Sequence, residues 1–139
     1  MRVLGLDIGD KRIGVALSDA EEILASPLDT IIRDNDGEAV DIILELASRY
    51  EVQRIVVGLP YSLDGDIGDQ ARKVMFFIDE ISKRTDTEIK TWDERLSTVA
   101  AERLLLEAGV KKNIRKQQRD AAAAAFILQG YLDSLEICD

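Results

Sequence analysis

Three separated acidic positions are the strongest candidates for chemistry in this sequence. Asp7 lies inside the apolar run of residues 3–8, the pair Asp93 and Glu94 follows a short strand-like segment, and Asp120 opens the stretch DAAAAAFIL. The 139 residues contain no histidine, which excludes Ser-His-Asp and Cys-His nucleophile pairs, HExxH zinc helices and an imidazole general base. Any catalysis must therefore use carboxylates, lysine, hydroxyls or a bound cofactor.

Carboxylates at these positions could bind divalent metal ions. Mg²⁺ and Mn²⁺ prefer oxygen ligands, and two such ions about 4 Å apart can activate a water and stabilise a leaving oxygen. Asp93 and Glu94 are adjacent, so in an extended chain only one of them can share a sheet face with Asp7. Each position also has a structural interpretation: a strand-end turn for Asp7, helix capping for the pair, and an acid favoured by the helix dipole for Asp120. Sequence spacing alone leaves both interpretations open.

The charge of the chain is unevenly distributed. A net charge of -9 and an isoelectric point near 4.6 argue against a general polyanion binder. Residues 111–119, however, carry a local charge of +5, so the other 130 residues carry -14. A basic segment is often only a solvated helix face, but this one directly precedes Asp120. We therefore expect phosphate contacts from basic side chains near the acidic positions: Lys11, Arg12, Arg95, Lys111, Lys112, Arg115, Lys116 and Arg119.

Hydrophobic periodicity predicts the elements that position these residues. Strands are expected at residues 3–8, 12–18, 27–32, 54–59 and 88–92, the first two as an antiparallel hairpin. Helices are expected from the Asn35–Glu38 capping box to residue 49, at 69–83, from Ser97 or Thr98 to about 108, and at about 115–135. The second helix should bury Ala71, Val74, Met75 and Ile78. This order predicts one α/β domain over residues 1–139, with a mixed five-stranded sheet led by three strands and helices on both faces.

Four segments of the sequence together point to a known family. They are GLDIGDKRIGVALSD (5–19), VVGLPYSLDG (56–65), WDERLSTVAAERLL (92–105) and DAAAAAFILQGYLDS (120–134), and they span essentially the whole chain in order. In combination they resemble the YqgF/RuvX family of ribonuclease H-like proteins, described as Holliday junction resolvases and as pre-16S ribosomal RNA nucleases. Two positions depart from the family pattern: Asp10 stands where threonine is usual, and Arg119 stands where an apolar residue is common.

The resemblance implies a ribonuclease H-like fold and a Mg²⁺- or Mn²⁺-dependent phosphodiesterase activity. Position by position, it implies that Asp7, Glu94 and Asp120 bind the metal and act in catalysis, with Asp93 as a possible fourth catalytic residue. The expected function is therefore that of a nuclease that processes the 5′ end of pre-16S ribosomal RNA, with the small ribosomal subunit as a further partner.

Other functions remain open at this point. One alternative is a Holliday junction resolvase acting on branched DNA, for which a two-fold homodimer would be favourable, whereas a monomer suits RNA trimming. A second is a nucleic-acid- or ribosome-binding module without efficient catalysis, and a third, ranked last, is one lobe of a sugar-kinase-like ATPase. We expect a cytoplasmic protein outside the membrane, because the lone Cys138 cannot form an intramolecular disulfide and the longest apolar run, residues 121–128, is too short for a span.

Overall fold

Five strands and three helices make up the described part of the chain. A computed structural model describes residues 2–59, 68–93 and 116–137. The elements are β1 (Arg2–Ile8), β2 (Arg12–Ser18), β3 (Ala25–Ile32), α1 (Asp36–Arg49), β4 (Val52–Leu59), α2 (Asp69–Ser82), β5 (Glu88–Asp93) and α3 (Lys116–Ile137). The strands form one mixed sheet in the order β3-β2-β1-β4-β5, in which β1 is antiparallel to β2 and parallel to β4. The predicted mixed sheet is therefore confirmed, and the helix predicted from Ser97 or Thr98 lies outside the described residues.

The sheet separates two hydrophobic layers, because alternate residues of each strand face opposite sides. On one side, Leu4 and Leu6 of β1 pack with the buried faces of α1 and α2. On the other side, Val3 of β1 and Val56 of β4 pack with α3. The prediction of helices on both faces is thus confirmed. Asp7 and Val3 are separated by an even number of positions in β1, so their side chains lie on the same face of the sheet, which α3 covers.

The buried face of α2 differs from the predicted one. Met75 was expected in the core but is 44% exposed, and Phe77 and Ile81 are buried instead. The prediction was wrong because residues 74–78 are all apolar, and an unbroken apolar run does not identify which of its members faces the sheet. Packing against the sheet selects Phe77 and leaves Met75 and Phe76 on the outer surface.

Two glycines let α3 lie directly on the β1–β2 hairpin. A Cβ atom at Gly5 would stand 2.8 Å from the Cβ of Leu128, and one at Gly14 would overlap the backbone carbonyl oxygen of Asp120. Leu128 and Asp120 are two helical turns apart on one face of α3, so the helix rests on the hairpin along this stripe. Any side chain larger than that of glycine at these two positions would push the helix away from the sheet.

Arg33 joins the β1–β2 turn to α1 and α2. Its Nε and Nη2 groups donate to the two carboxylate oxygens of Asp36 at 2.8 and 3.3 Å, and its Nη1 donates to the carbonyl oxygen of Gly9 at 2.8 Å. The guanidinium carbon lies 4.8 Å from the centre of the Phe77 ring. Hydrogen bonding to Arg33 also lowers the pKa of Asp36. Because Gly9 is two residues beyond Asp7, these contacts fix the end of the hairpin that carries Asp7.

We expect Arg33→Ala to lower the free energy of unfolding by about 2 kcal/mol, because it removes a bidentate ion pair, a hydrogen bond to a carbonyl and a cation–π contact. Urea unfolding measures this loss. Arg49→Ala is the matched control, since the side chains of Arg49 and its partner Glu45 are 56% and 60% exposed, and such pairs contribute less than about 1 kcal/mol.

The stability lost in Arg33→Ala is also predicted to depend on pH. The folded-state pKa of Asp36 is lowered, so its pair with Arg33 stabilises the fold fully above about pH 4 and loses that contribution as the pH falls through the folded-state pKa. The difference in unfolding free energy between wild type and Arg33→Ala should therefore narrow in acid. A loss no larger than that of Arg49→Ala at neutral pH would contradict the role assigned to Arg33.

Candidate active site

Asp7 lies near the C-terminal end of β1, the central strand of the sheet. Its cross-strand partner in β2 is Gly14, and its side chain is half-buried on the face covered by α3. The preceding and following residues, Leu6 and Ile8, enter the opposite core. Buried neighbours on both sides fix the backbone direction at Asp7, so this carboxylate is carried by a rigid element rather than by a loop.

Asp120 reaches the same place from α3. Its carbonyl oxygen lies against Gly14, and Gly14 is the residue directly opposite Asp7 in the hairpin. Paired residues on neighbouring antiparallel strands have Cα atoms about 4.5–5.5 Å apart. The fold therefore brings two of the three predicted metal ligands, one from each end of the chain, to one side of the sheet.

Arg12 forms an ion pair with Asp120. Its Nε donates to Oδ2 of Asp120 at 2.7 Å, and the two side chains are 31% and 29% exposed. Arg12 and Gly14 are two residues apart in β2, so both face α3. The positive charge of Arg12 offsets the negative charge of Asp120 on the face of the sheet that also carries Asp7. Arg12 was predicted as a phosphate contact, and in the structure its immediate partner is a candidate metal ligand.

The register of β5 determines which sheet face Asp93 occupies. Trp92 packs into the layer that contains α3. Asp93 pairs with Leu59 at the end of β4, and Leu59 is buried in the opposite layer with α1 and α2. By strand alternation, Asp93 therefore lies on the side of the sheet away from Asp7. Glu94 is outside the described residues.

Comparison with known proteins identifies the family. Residues 1–134 match the family model described as RuvX, Holliday junction resolvase. The chain belongs to the RuvX family. A relative from Desulforamulus reducens is 50% identical over 134 residues, which cover 96% of this chain and 98% of the relative. A relative from Halothermothrix orenii is 50% identical over 133 residues, covering 96% and 95%. Both carry the name "Putative pre-16S rRNA nuclease".

Solved structures show the same fold at low sequence identity. Thermus thermophilus RuvC in complex with a Holliday junction substrate aligns with a TM-score of 0.65 and 17% identity, covering 98% of this chain and 96% of RuvC. The fowlpox virus Holliday junction resolvase aligns with a TM-score of 0.61 and 16% identity, covering 97% and 99%. The ribonuclease H-like fold predicted from the sequence of this RuvX chain is therefore confirmed.

The remaining predicted site residues of this RuvX chain are only partly described. Lys11 is exposed in the turn between β1 and β2. Lys116 and Arg119 belong to the start of α3, but their side chains are not described, and five further predicted residues lie outside the described ranges: Glu94, Arg95, Lys111, Lys112 and Arg115. Within the described ranges, no three acidic or cysteine side chains come together as a metal site, and no helix there is long and apolar enough to cross a membrane.

Sequence reasoning missed two residues that shape this region of the RuvX chain. Gly14 seats Asp120 against the hairpin, and a glycine inside the predicted second strand was an available signal, because strand glycines often mark close backbone approach. Arg33 fixes the turn after β1 through a carbonyl 24 residues away in sequence. Nothing in the local sequence around Arg33 indicates that contact.

Proposed function

We propose that this protein is a divalent-metal-dependent nuclease that hydrolyses nucleic-acid phosphodiester bonds and processes the 5′ end of pre-16S ribosomal RNA in the cytoplasm. The observation that carries the proposal is the placement of Asp7 and Asp120 on one face of the sheet, on either side of Gly14. The names of two relatives that are 50% identical over nearly the whole chain support the choice of substrate.

Mg²⁺ or Mn²⁺ is the cofactor that suits this site. Asp7 and Asp120 offer carboxylate oxygens from a strand and a helix on the same face, and hard cations take such ligands. Glu94 would be the third ligand, because an extended backbone beyond Asp93 would return the next side chain to the face of Asp7. When bound, the ion would activate a water and stabilise the negative charge that develops on the leaving oxygen.

The side chains of the protein would bind and orient the substrate. Arg12, whose Nε donates to Asp120, would direct its Nη groups towards a phosphate oxygen. Exposed Lys11, in the turn after Asp7, lies where a nucleic-acid backbone would cross the end of the sheet. The rest of the phosphate-binding set would come from Arg95 and the basic segment, namely Lys111, Lys112, Arg115, Lys116 and Arg119.

Holliday junction resolution is the second candidate function. The description of the RuvX family model favours it. A junction has two symmetric strands to cut, so a two-fold homodimer would suit that reaction, whereas a monomer would suit trimming of RNA on the small ribosomal subunit. Sedimentation of the protein, together with cleavage assays on a precursor-rRNA leader and on a four-way DNA junction, separates the two functions.

We expect Glu94→Gln to reduce Mn²⁺-dependent cleavage of a precursor 16S leader transcript more than about 100-fold, because losing a residue that only supports a metal ligand already costs about 10- to 100-fold. Asp93→Asn should stay within about threefold of wild type, because Asp93 lies on the sheet face away from Asp7. The two variants are matched, being neighbouring acids converted to their amides. The reverse pattern would make Asp93 the ligand, and full activity in both would remove this acidic pair from the mechanism.

A further inference from the structure

The outer surface of α2 carries two adjacent large apolar side chains. Phe76 is 63% exposed and Met75 is 44% exposed, whereas the next residue, Phe77, is fully buried. The hydrophobic core is therefore complete on the sheet side of α2 without Phe76. An exposed aromatic ring beside cations is typical of surfaces that bind single-stranded nucleic acid, because bases stack on the ring.

Two cations lie one helical turn before Phe76. Arg72 and Lys73 are exposed, and their spacing of four and three residues from Phe76 places them beside its ring on the helix surface. Neither forms an ion pair with any residue in the ranges 2–59, 68–93 and 116–137. Most other cations in those ranges are paired with carboxylates: Arg12, Arg33, Arg49, Arg54, Lys83, Arg84 and Lys90.

The outer surface of α2 lies on the opposite side of the sheet from Asp7, and a chain of contacts joins α2 to the turn that follows Asp7. The ring of Phe77 lies 4.8 Å from the guanidinium of Arg33, and the same guanidinium binds the carbonyl oxygen of Gly9, two residues after Asp7. Exposed Lys11 lies in the same turn. A strand that leaves the face of Asp7 and crosses this turn would therefore reach the outer surface of α2.

We propose that Arg72, Lys73 and Phe76 bind a single-stranded segment of the RNA substrate outside the cleavage site, after it has crossed the turn that follows Asp7. Phe76 stacks against a base, and the two cations hold the flanking phosphates. The proposal rests on the nuclease function proposed above. A second copy of the chain is a poorer occupant, because Met75 and Phe76 offer far less than the roughly 800 Å² per partner of a stable interface.

Fluorescence anisotropy with a short, unstructured, labelled oligoribonucleotide in EDTA tests this surface without cleavage. Phe76→Ala should weaken binding about 10-fold, whereas Phe76→Trp, which keeps a stacking ring, should stay within about twofold of wild type. A blunt RNA duplex should bind all three proteins equally, because its bases are not available for stacking. Ile32→Ala, which truncates a 50%-exposed apolar residue on β3, is the control for loss of apolar surface.

A second pair of variants tests the cations. Lys73→Gln should lower the affinity for the oligoribonucleotide. It should also reduce the slope of log affinity against log salt concentration by about one, the contribution of one phosphate contact. Lys83→Gln removes the same charge from the end of the same helix, where Asp79 and Glu80 already offset it at 3.2 and 3.6 Å, and should have less effect. Equal effects of the two substitutions would overturn the assignment of Lys73.

Cleavage of the precursor leader by the wild type distinguishes this proposal from the nuclease function. If the wild type cleaves but Phe76→Ala binds the single-stranded RNA as tightly as the wild type does, the α2 proposal fails and the nuclease function stands. If binding depends on Phe76 but no cleavage occurs with Mn²⁺, the nuclease function fails and the RNA-binding surface stands. Dissociation of a dimer by Phe76→Ala with unchanged RNA affinity would make the surface a self-association face and overturn the proposal.

Discussion

Replacing Asp7 with asparagine is expected to reduce metal-dependent cleavage by about a thousand-fold or more. Asparagine keeps the size of the side chain and one carbonyl oxygen but lacks the negative charge that a hard divalent cation requires. Because Asp7 shares the α3-facing side of the sheet with Asp120, its charge is placed where an ion could take ligands from both. Initial rates on a labelled precursor 16S leader across a Mn²⁺ series measure the loss, and calorimetric Mn²⁺ titration measures the accompanying loss of metal affinity.

The fold of Asp7→Asn should remain intact, because the substitution changes neither the strand backbone nor the volume of the side chain. Its thermal unfolding should match that of Asp29→Asn, which makes the same substitution on β3 of the same sheet. Asp29 is exposed and accepts a hydrogen bond from the backbone N–H of Thr30 at 2.7 Å, a role that an asparagine oxygen can also fill. Asp29→Asn should cleave at the wild-type rate.

Two results would change the proposed mechanism. Unchanged cleavage by Asp7→Asn would remove this carboxylate from the mechanism. RNA binding that needs no divalent ion, survives Asp7→Asn and is accompanied by no cleavage in the wild type would favour a nucleic-acid-binding module without catalysis. Charge reversal of Lys112 and Arg115 should then still abolish RNA binding, because that module would depend on phosphate contacts alone.

Much of the fold could be predicted from the sequence because its strongest signals are local. Residues 3–6 of β1 and 55–59 of β4 are continuous apolar runs, and Asn35 accepts a hydrogen bond from the backbone N–H of Glu38 at 3.2 Å, as the capping spacing predicts. The prediction was wrong where the local signal was ambiguous, in the five apolar residues 74–78 of α2. There the sheet, and not the helix period, decides that Phe77 is buried and Phe76 is exposed.

The candidate site was less predictable, because its geometry depends on contacts between distant parts of the chain. An aspartate inside an apolar run is visible in the sequence, but the placement of Asp120 beside Asp7 depends on α3 packing against Gly14. The ion pair between Arg12 and Asp120 joins residues separated by 108 positions. The alternation of side chains between the two faces of a strand, in contrast, could be predicted from the sequence. The register of β5 then determined which sheet face Asp93 occupies.

The backbone of Asp120 packs directly against Gly14 of the hairpin. This contact leads to the second large prediction, for Gly14→Ala. The added Cβ would overlap the carbonyl oxygen of Asp120 and stand 3.1 Å from the backbone nitrogen of Ala121. Backbone atoms of a packed helix cannot rotate away as a side-chain end can, so α3 must shift. We expect a loss of about 3 kcal/mol in the free energy of unfolding, at the upper end of overpacking effects. A shift of about 1 Å in a positioned catalytic group can also cost about 100-fold in rate.

Gly68→Ala is the matched control for this prediction. Among the described residues, a Cβ at Gly68 meets nothing within 4 Å. Gly68 is the N-cap of α2 and makes no side-chain capping hydrogen bond there, so the substitution should change stability by less than about 1 kcal/mol and leave cleavage unchanged. Comparing the two variants by urea unfolding and by cleavage rate separates the packing effect from the catalytic one. Lower stability with full activity in Gly14→Ala would show that Asp120 acts independently of its packing contact with Gly14. Wild-type stability in Gly14→Ala would mean that α3 does not rest on the hairpin, and the convergence of Asp7 and Asp120 would lose its structural basis.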